Sequence, residues 1–329
     1  MPVLDASEYR PSWFLRNGHS NTIYPYIFRK KITPNYKRTR FITSDDDFVD
    51  LDFLGESNDK LAILCHGLEG SSESQYMQYT STLLANHGWK VMVFNFRSCS
   101  GDMNTKLQMY HSGWTTDLHE IITHYAPNYN KIALVGVSLG GNMILKYTTD
   151  QIYKPSPKIS AVVAISTPTD LSASSQKIIS RQNILYDKRF RMTLVDKMKK
   201  KHGYFPKEIR LEDLKKVKTL WDFDEYFTGP LHGFSGAEDY YSKCNSKQFL
   251  HQTTLPTLMI SAQDDPFLTE ESLVYDIARQ TKNLYFLAPK FGGHVGFTTF
   301  GENYYWNENK TLKFIDAPHD FVRYHRVIN

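Results

Sequence analysis

The sequence has no long hydrophobic run: nowhere in its 329 residues does a stretch approach the ~18 consecutive apolar residues of a membrane span. Its first twenty residues, MPVLDASEYRPSWFLRNGHS, break any apolar core with acids, prolines and arginines, which argues against a secretory leader. No stable membrane insertion is expected, although peripheral contact is compatible with the pattern. Cysteine is also scarce. Cys65, Cys99 and Cys244 share no paired spacing and no Cys-x-x-Cys, so neither a disulfide framework nor a zinc site is expected, and a reducing, cytoplasmic setting fits.

One-sided charge is missing too. With 39 Lys and Arg against 35 Asp and Glu, the net charge of +4 is too small to call for nucleic acid. The densest cationic runs, Arg29 to Lys31 and Lys199 to Lys201, read as solvated faces; membrane attraction would rest on the second. Repeats and low-complexity segments are absent. What remains is an ordinary globular composition, 41% apolar and 22% charged but rich in aromatics at 14%, in a chain long enough to bury a sizeable core.

Against that background one stretch stands out, KIALVGVSLGGNMIL at 131–145. The apolar run Ile132–Val135 reads as a buried strand, Gly136-Val137-Ser138-Leu139-Gly140 as a sharp turn, and Met143–Leu145 as the start of a helix. Ser138 sits at the apex. The residue at such an apex takes strained backbone angles, and side chains two positions either side would collide with strand and helix, so glycine is required there.

Around this unit, KLAILCH (60–66), KVMVFNF (90–96) and KISAVVAIS (158–166) read as further buried strands, and HSGWTTDLHEIITHYA (111–126) as an amphipathic helix. Strand and helix alternate, which predicts a mostly parallel sheet with helices on both faces. KRTRFITSDDDFVDLDFLG (37–55) reads as an antiparallel edge hairpin, and residues 1–36 as a short helix and loops. The rhythm breaks at 168–252, which lacks buried strands, carries helix-like pieces near 175–200 and 210–220, and is too long for a loop. An inserted helical lid within a single domain spanning 1–329 is the expectation. TLMISA (257–262), a helix near 269–280, NLYFLA (283–288) and a last helical stretch beyond about 302 complete the sheet and its cover.

A serine hydroxyl needs a base within hydrogen-bond reach and a carboxylate to orient that base. TLMISA runs into Gln263-Asp264-Asp265-Pro266 and NLYFLA is followed by Gly292-Gly293-His294-Val295-Gly296, so acid and histidine follow Ser138 at strand ends. Asp264 and Asp265 are both candidates, and the Asp-Pro turn favours Asp265. The loop His66-Gly67-Leu68-Glu69-Gly70 lacks the Lys-Ser/Thr ending of a phosphate loop; His66 is expected to fix it so that the Leu68 N–H, with that of Leu139, forms an oxyanion hole. Cys65 and Cys99 read as packing residues, and Arg97, Asp102 and His111 as loop residues without a catalytic role.

In order, HGLEGSSES, NFRSCSGD, YHSGWTTDL, GVSLGGNMILKY, ISTPTDL, AQDDPF and GGHVGF resemble the YheT-like family of α/β-hydrolases, a group with yeast medium-chain ester synthase/esterases and mammalian lipid-acting abhydrolase-domain proteins. The resemblance runs from about Trp13 to Phe297. It implies a serine hydrolase of carboxylic esters, with small-molecule or lipid ester substrates and no metal or organic cofactor, and puts the charge-relay serine on Ser138, the acid on Asp265 and the histidine on His294. An acyltransferase using the same site and a lipid-binding protein without turnover are the alternatives. Two departures bear on pocket shape: Ser98 stands where the family pattern has Gly, and HSNT at 19–22 where it has His-Leu-Gln-Thr.

Overall fold

A computed structural model describes residues 3–328. Its strands are β1 (Val3–Leu4), β2 (Lys37–Ile42), β3 (Phe48–Leu54), β4 (Lys60–Cys65), β5 (Lys90–Asn95), β6 (Lys131–Val137), β7 (Ile159–Ile165), β8 (Thr257–Ile260), β9 (Leu284–Leu287) and β10 (Val327–Ile328). They form one sheet in the order β10-β1-β9-β8-β7-β6-β4-β5-β3-β2. Pairing is parallel from β5 through β4, β6, β7, β8 and β9 to β1. The β2–β3 hairpin and β10 add antiparallel edges.

The continuous apolar strands follow from burial on both faces. In β4, Leu61, Ile63 and Cys65 pack into one core layer while Ala62 and Leu64 pack into the other. Outside the sheet lie α1 (Gly18–Phe28), α2 (Gln75–Asn86), α3 (Thr115–Tyr125) and α4 (Leu139–Thr149). After β7 come α5 (Leu171–Ile178), α6 (Ile184–His202), α7 (Leu211–Lys216), α8 (Leu220–Phe223), α9 (Gly229–Leu231) and α10 (Ala237–Cys244). After β8 come α11 (Tyr275–Gln280), α12 (Trp306–Asp316) and α13 (Pro318–Arg323). Ile121 of α3 and Ile144 of α4 cover one face of the sheet; Leu84 of α2 and Phe314 of α12 cover the other.

The stretch 168–252 is helical, with a π-helical turn at Asp224–Thr228. Asn142 of α4 ties it down: its Nδ2 donates to Ser112 O and Cys244 O at 3.0 and 2.9 Å, and its Oδ1 accepts from Ser246 N at 2.9 Å, all buried.

Several expectations change in detail. The helix-like pieces expected near 175–200 are α5 and α6, and α5 begins earlier than that range; between them Asn183 Nδ2 donates to Lys177 O and to Pro266 O at 2.9 and 2.7 Å. The helix expected near 269–280 is a 3-10 turn, Glu270–Ser272, followed by α11. β1 and β10, two residues each, are too short to leave a periodic signal.

Neither cationic run is a uniform solvated face. Arg29 makes a two-pronged contact with Glu308 at 2.6 and 2.7 Å and lies between the Tyr79 and Tyr305 rings. Lys201 is fully buried and donates to Lys106 O, and Lys199 pairs with Asp196 at 3.1 Å. Amphipathic stems and partners across the fold, invisible to a count of charges, pull both side chains inward.

Candidate active site

β6 delivers Ser138 at its end, and α4 starts one residue later. Ser138 has φ 53° and ψ −120°, a strained backbone held by its N–H donating to Ile165 O at 2.8 Å. A Cβ on Gly136 would stand 2.4 Å from Gly140 O, and one on Gly140 2.3 Å from Cys65 O. The turn closes only with hydrogen at both positions.

The loop after β9 brings His294 to the serine. Its Nε2 lies 3.0 Å from Ser138 Oγ, and its Nδ1 lies 2.9 and 3.1 Å from the two Asp265 carboxylate oxygens. With Nδ1–H donating to the carboxylate, Nε2 is left to accept from the hydroxyl. Asp265 is buried and also accepts from Phe267 N at 2.9 Å, while the Phe267 ring covers the imidazole at 4.4 Å between centroids. Asp264 points elsewhere. Its Oδ1 accepts from Gly293 N at 2.9 Å and its Oδ2 is buried without a partner, and burial pushes this carboxyl up to about 6.

Ser138, Asp265 and His294 are thus drawn into one hydrogen-bonded chain, and Leu68 and Leu139 line the same cavity beside Ser138. His66 is buried; its Nδ1–H donates to Gly67 O at 2.7 Å and its Nε2 accepts from Phe96 N at 3.1 Å, locking one tautomer. Burial pushes its imidazole down to about 3. The loop it fixes lies against the serine, since a Cβ on Gly67 would stand 3.2 Å from Ser138 Cβ.

The remaining candidates divide. Arg97 is a buried loop anchor, bonded to Asp117 at 2.7 and 2.8 Å, to Asp45 at 2.8 Å and to Asp47 at 3.1 Å. Asp102 pairs with Arg40 on the surface at 2.6 Å. His111 lines the cavity, ring to ring with His232 at 4.7 Å. Cys65 is buried in the core and Cys99 partly buried. Among the described residues no cluster of three His, Cys, Asp or Glu side chains is placed to hold a metal ion, and no helix is long and apolar enough to cross a membrane.

The model of the alpha/beta hydrolase fold family matches residues 61–299. YheT of Escherichia coli (strain K12) is 31% identical over 89% of this chain and 87% of that protein. The chain is a YheT-like α/β hydrolase. Phospholipase ABHD3 of Bos taurus is 26% identical over 90% of this chain and 74% of that protein. Esterase Pf2001 of Pyrococcus furiosus shares the fold with a TM-score of 0.56 over 86% of this chain and 92% of that one, at 16% identity.

The two departures from the YheT-like pattern have structural readings in this α/β hydrolase. Ser98 has φ 63°, the left-handed backbone that a glycine would take without cost. In HSNT the departing residue Asn21 is buried, its Nδ2 donating to Tyr9 OH and Leu15 O at 3.1 and 3.3 Å and its Oδ1 accepting from Thr298 N at 3.2 Å, while Thr22, common to both patterns, accepts from His294 N at 2.8 Å, so α1 braces the histidine loop. Sequence reading missed that brace and a second one, the partly buried contact of Lys197 Nζ with Glu69 Oε1 at 2.7 Å between α6 and the loop after β4. No spacing signals either, because the partners are 272 and 128 residues apart.

Proposed function

We propose that this α/β hydrolase cleaves carboxylic esters through an acyl-enzyme on Ser138. The observation that carries the reading is the continuous chain from Ser138 Oγ through His294 to Asp265, with contacts of 3.0 and 2.9 Å. His294 Nε2 takes the hydroxyl proton as Oγ attacks the ester carbonyl. The developing oxyanion is held by the backbone N–H groups of Leu68 and Leu139, the second being an unpaired donor at the start of α4. The alcohol leaves with the proton from His294, water then attacks the acyl group by the same route, and Asp265 holds the imidazole throughout.

The cavity supports an apolar acyl group. Leu171, Leu194, Met198, Leu220 and Phe223 of the 168–252 stretch line it together with Ser138. At about 100 Å³ it is smaller than the roughly 150 Å³ that holds a benzene-sized guest, so it fits an acyl chain of a few carbons, and longer chains require the insertion to move. The phospholipase named among the relatives is in keeping with a lipid ester as substrate. Three free cysteines suit a reducing, cytoplasmic setting.

Hydrolysis of nitrophenyl esters from acetate to palmitate, with Ser138→Ala as the blank, tests the reading. Turnover should fall by roughly 10⁴-fold or more in the variant. Equal rates in both proteins would overturn it.

A further inference from the structure

Residues 9–44 contain no Asp or Glu, yet carry eight Arg and Lys. Four of these cations are spoken for, Arg29 by Glu308, Lys37 by Glu56, Arg38 by Asp52 and Arg40 by Asp50. Arg10, Arg16, Lys30 and Lys31 are exposed. The apolar side chains between them are exposed as well, Trp13 at 80%, Phe28 at 66%, Tyr26 at 64% and Ile27 at 59%. Single exposed apolar residues are ordinary, but these belong to a connected patch. Trp13 meets Phe14, Phe14 meets Tyr24 and Phe300, and Tyr24 meets Phe28, with ring centroids 5.0 to 6.0 Å apart.

The patch continues onto α6. Arg189 lies over the Tyr26 ring at 4.4 Å, and His19 stacks on Tyr186. Ile184 and Leu185 are exposed there, at 62% and 77%. Asp187, the acid of that first turn, faces inward and accepts from Leu220 N at 2.7 Å, which leaves Lys188 and Arg189 outward. The opposite side of α1 is committed to the fold: Asn21 is buried and Thr22 holds the His294 backbone.

We infer that this face, formed by Trp13–Lys31 and the first turns of α6, docks on an anionic lipid bilayer. Exposed aromatic and aliphatic side chains collared by Lys and Arg, with no carboxylate on the 9–44 segment, match the headgroup boundary of such a surface in both polarity and charge. An acidic protein would satisfy the cations but leaves less reason for Trp13, Ile27 and Phe28 to stand in water. The run at Lys199–Lys201 is not the docking element, because Lys201 is buried and Lys199 is paired. The inference is independent of Ser138 as nucleophile.

Flotation of the full chain with phosphatidylcholine vesicles, with and without 30% phosphatidylglycerol, tests it at low and high salt. The wild-type chain should partition onto the anionic vesicles and release at 0.5 M NaCl. Trp13→Ser, Phe28→Ser and the double variant Lys30→Glu/Lys31→Glu should each lower the partition coefficient at least tenfold. Lys199→Glu/Lys200→Glu should stay within threefold. All these side chains are exposed, and unchanged thermal midpoints would certify folding. The inference is overturned if anionic vesicles are not bound, or if the patch variants match wild type. It also fails if the Lys199/Lys200 variant loses as much binding as the Lys30/Lys31 variant. A concentration-dependent dimer that Trp13→Ser dissolves, with no vesicle binding, would assign the face to a second copy and overturn it too.

Discussion

Lys197 Nζ on α6 lies 2.7 Å from Oε1 of Glu69, the residue that follows Leu68 in the loop packed against Ser138. Glu69 has φ 54°, and Tyr110 secures it twice: its hydroxyl accepts from Glu69 N and donates to Glu69 Oε1, both at 2.9 Å. Cys99 Sγ stands 3.3 Å from the same ammonium. Helix α6 and the proposed oxyanion loop therefore share one partly buried ion pair.

Breaking that pair leaves the Glu69 carboxylate with the Tyr110 hydroxyl but without its cation, a loss of about 1–3 kcal/mol, between that of exposed and fully buried pairs. Lys197→Met should lower the urea midpoint accordingly. If the pair also sets the direction of the Leu68 N–H, kcat should fall about tenfold while KM stays within threefold. Glu69→Gln, which keeps the shape and the Tyr110 contact, should lose less stability but a similar share of kcat. Unchanged kcat in both folded variants would leave the contact a purely structural one.

Asp264 and Asp265 make opposite predictions. Asp265→Asn should cut kcat by roughly 10³ to 10⁴, because the amide no longer holds the Nδ1–H tautomer of His294. Asp264→Asn should leave kcat within a few-fold. Burial raises Asp264 to about 6, with Gly293 N–H opposing and the Asp265 charge adding, so its relative stabilisation is complete below about pH 4 and is lost as pH rises through 6. Above that the ionised group costs on the order of 1–2 kcal/mol after screening. Urea titrations should show Asp264→Asn gaining stability over wild type at pH 8 and gaining little at pH 4.

The individual buried strands, the turn at Ser138, the His294 loop and the preference for Asp265 all rest on local signals: a buried apolar run, glycines where Cβ atoms would collide, and an Asp-Pro turn. Those signals act over a few residues, and a sequence carries them openly. The charged residues that behave unexpectedly are governed by distant partners. Arg29 finds Glu308 279 residues on, Lys201 finds the Lys106 carbonyl, and Lys197 finds Glu69. Long aliphatic stems let such groups bury while a head finds its partner, and nothing in the neighbouring residues distinguishes them from solvated lysines and arginines.

Arg97 illustrates the same point with a large expected effect. It joins the β2–β3 turn to α3 by serving Asp45, Asp47 and Asp117 at once, and its side chain and those of Asp47 and Asp117 are essentially without solvent contact. Arg97→Met would strand two buried carboxylates. A loss of about 3–5 kcal/mol is expected in urea unfolding at pH 7, against less than about 1 kcal/mol for Lys199→Met, whose side chain and that of its partner Asp196 are 60% and 62% exposed.

Asp224 offers a test of the cavity itself. It lies on the π-helical turn, lines the same cavity as Ser138, and accepts from Tyr241 OH at 2.7 Å, while Tyr241 OH also meets Ser175 Oγ at 2.9 Å. Burial pushes its carboxyl up to about 6, against the opposing hydrogen bonds from Thr228 and Tyr241. The group is therefore neutral below that pH and charged above it. A negative charge appearing in an otherwise largely apolar chamber disfavours an alkyl guest, because the ion loses its remaining solvent when the chain enters. Competitive inhibition by 1-octanol, which involves no chemistry at Ser138, should weaken several-fold between pH 5 and pH 7.5 in the wild type. In Asp224→Asn the same Ki should be nearly flat across that range. A wild-type Ki without slope would mean that alkyl guests do not reach the Asp224 side of the chamber, and would confine the acyl chain to the wall formed by Leu194, Met198 and Leu220.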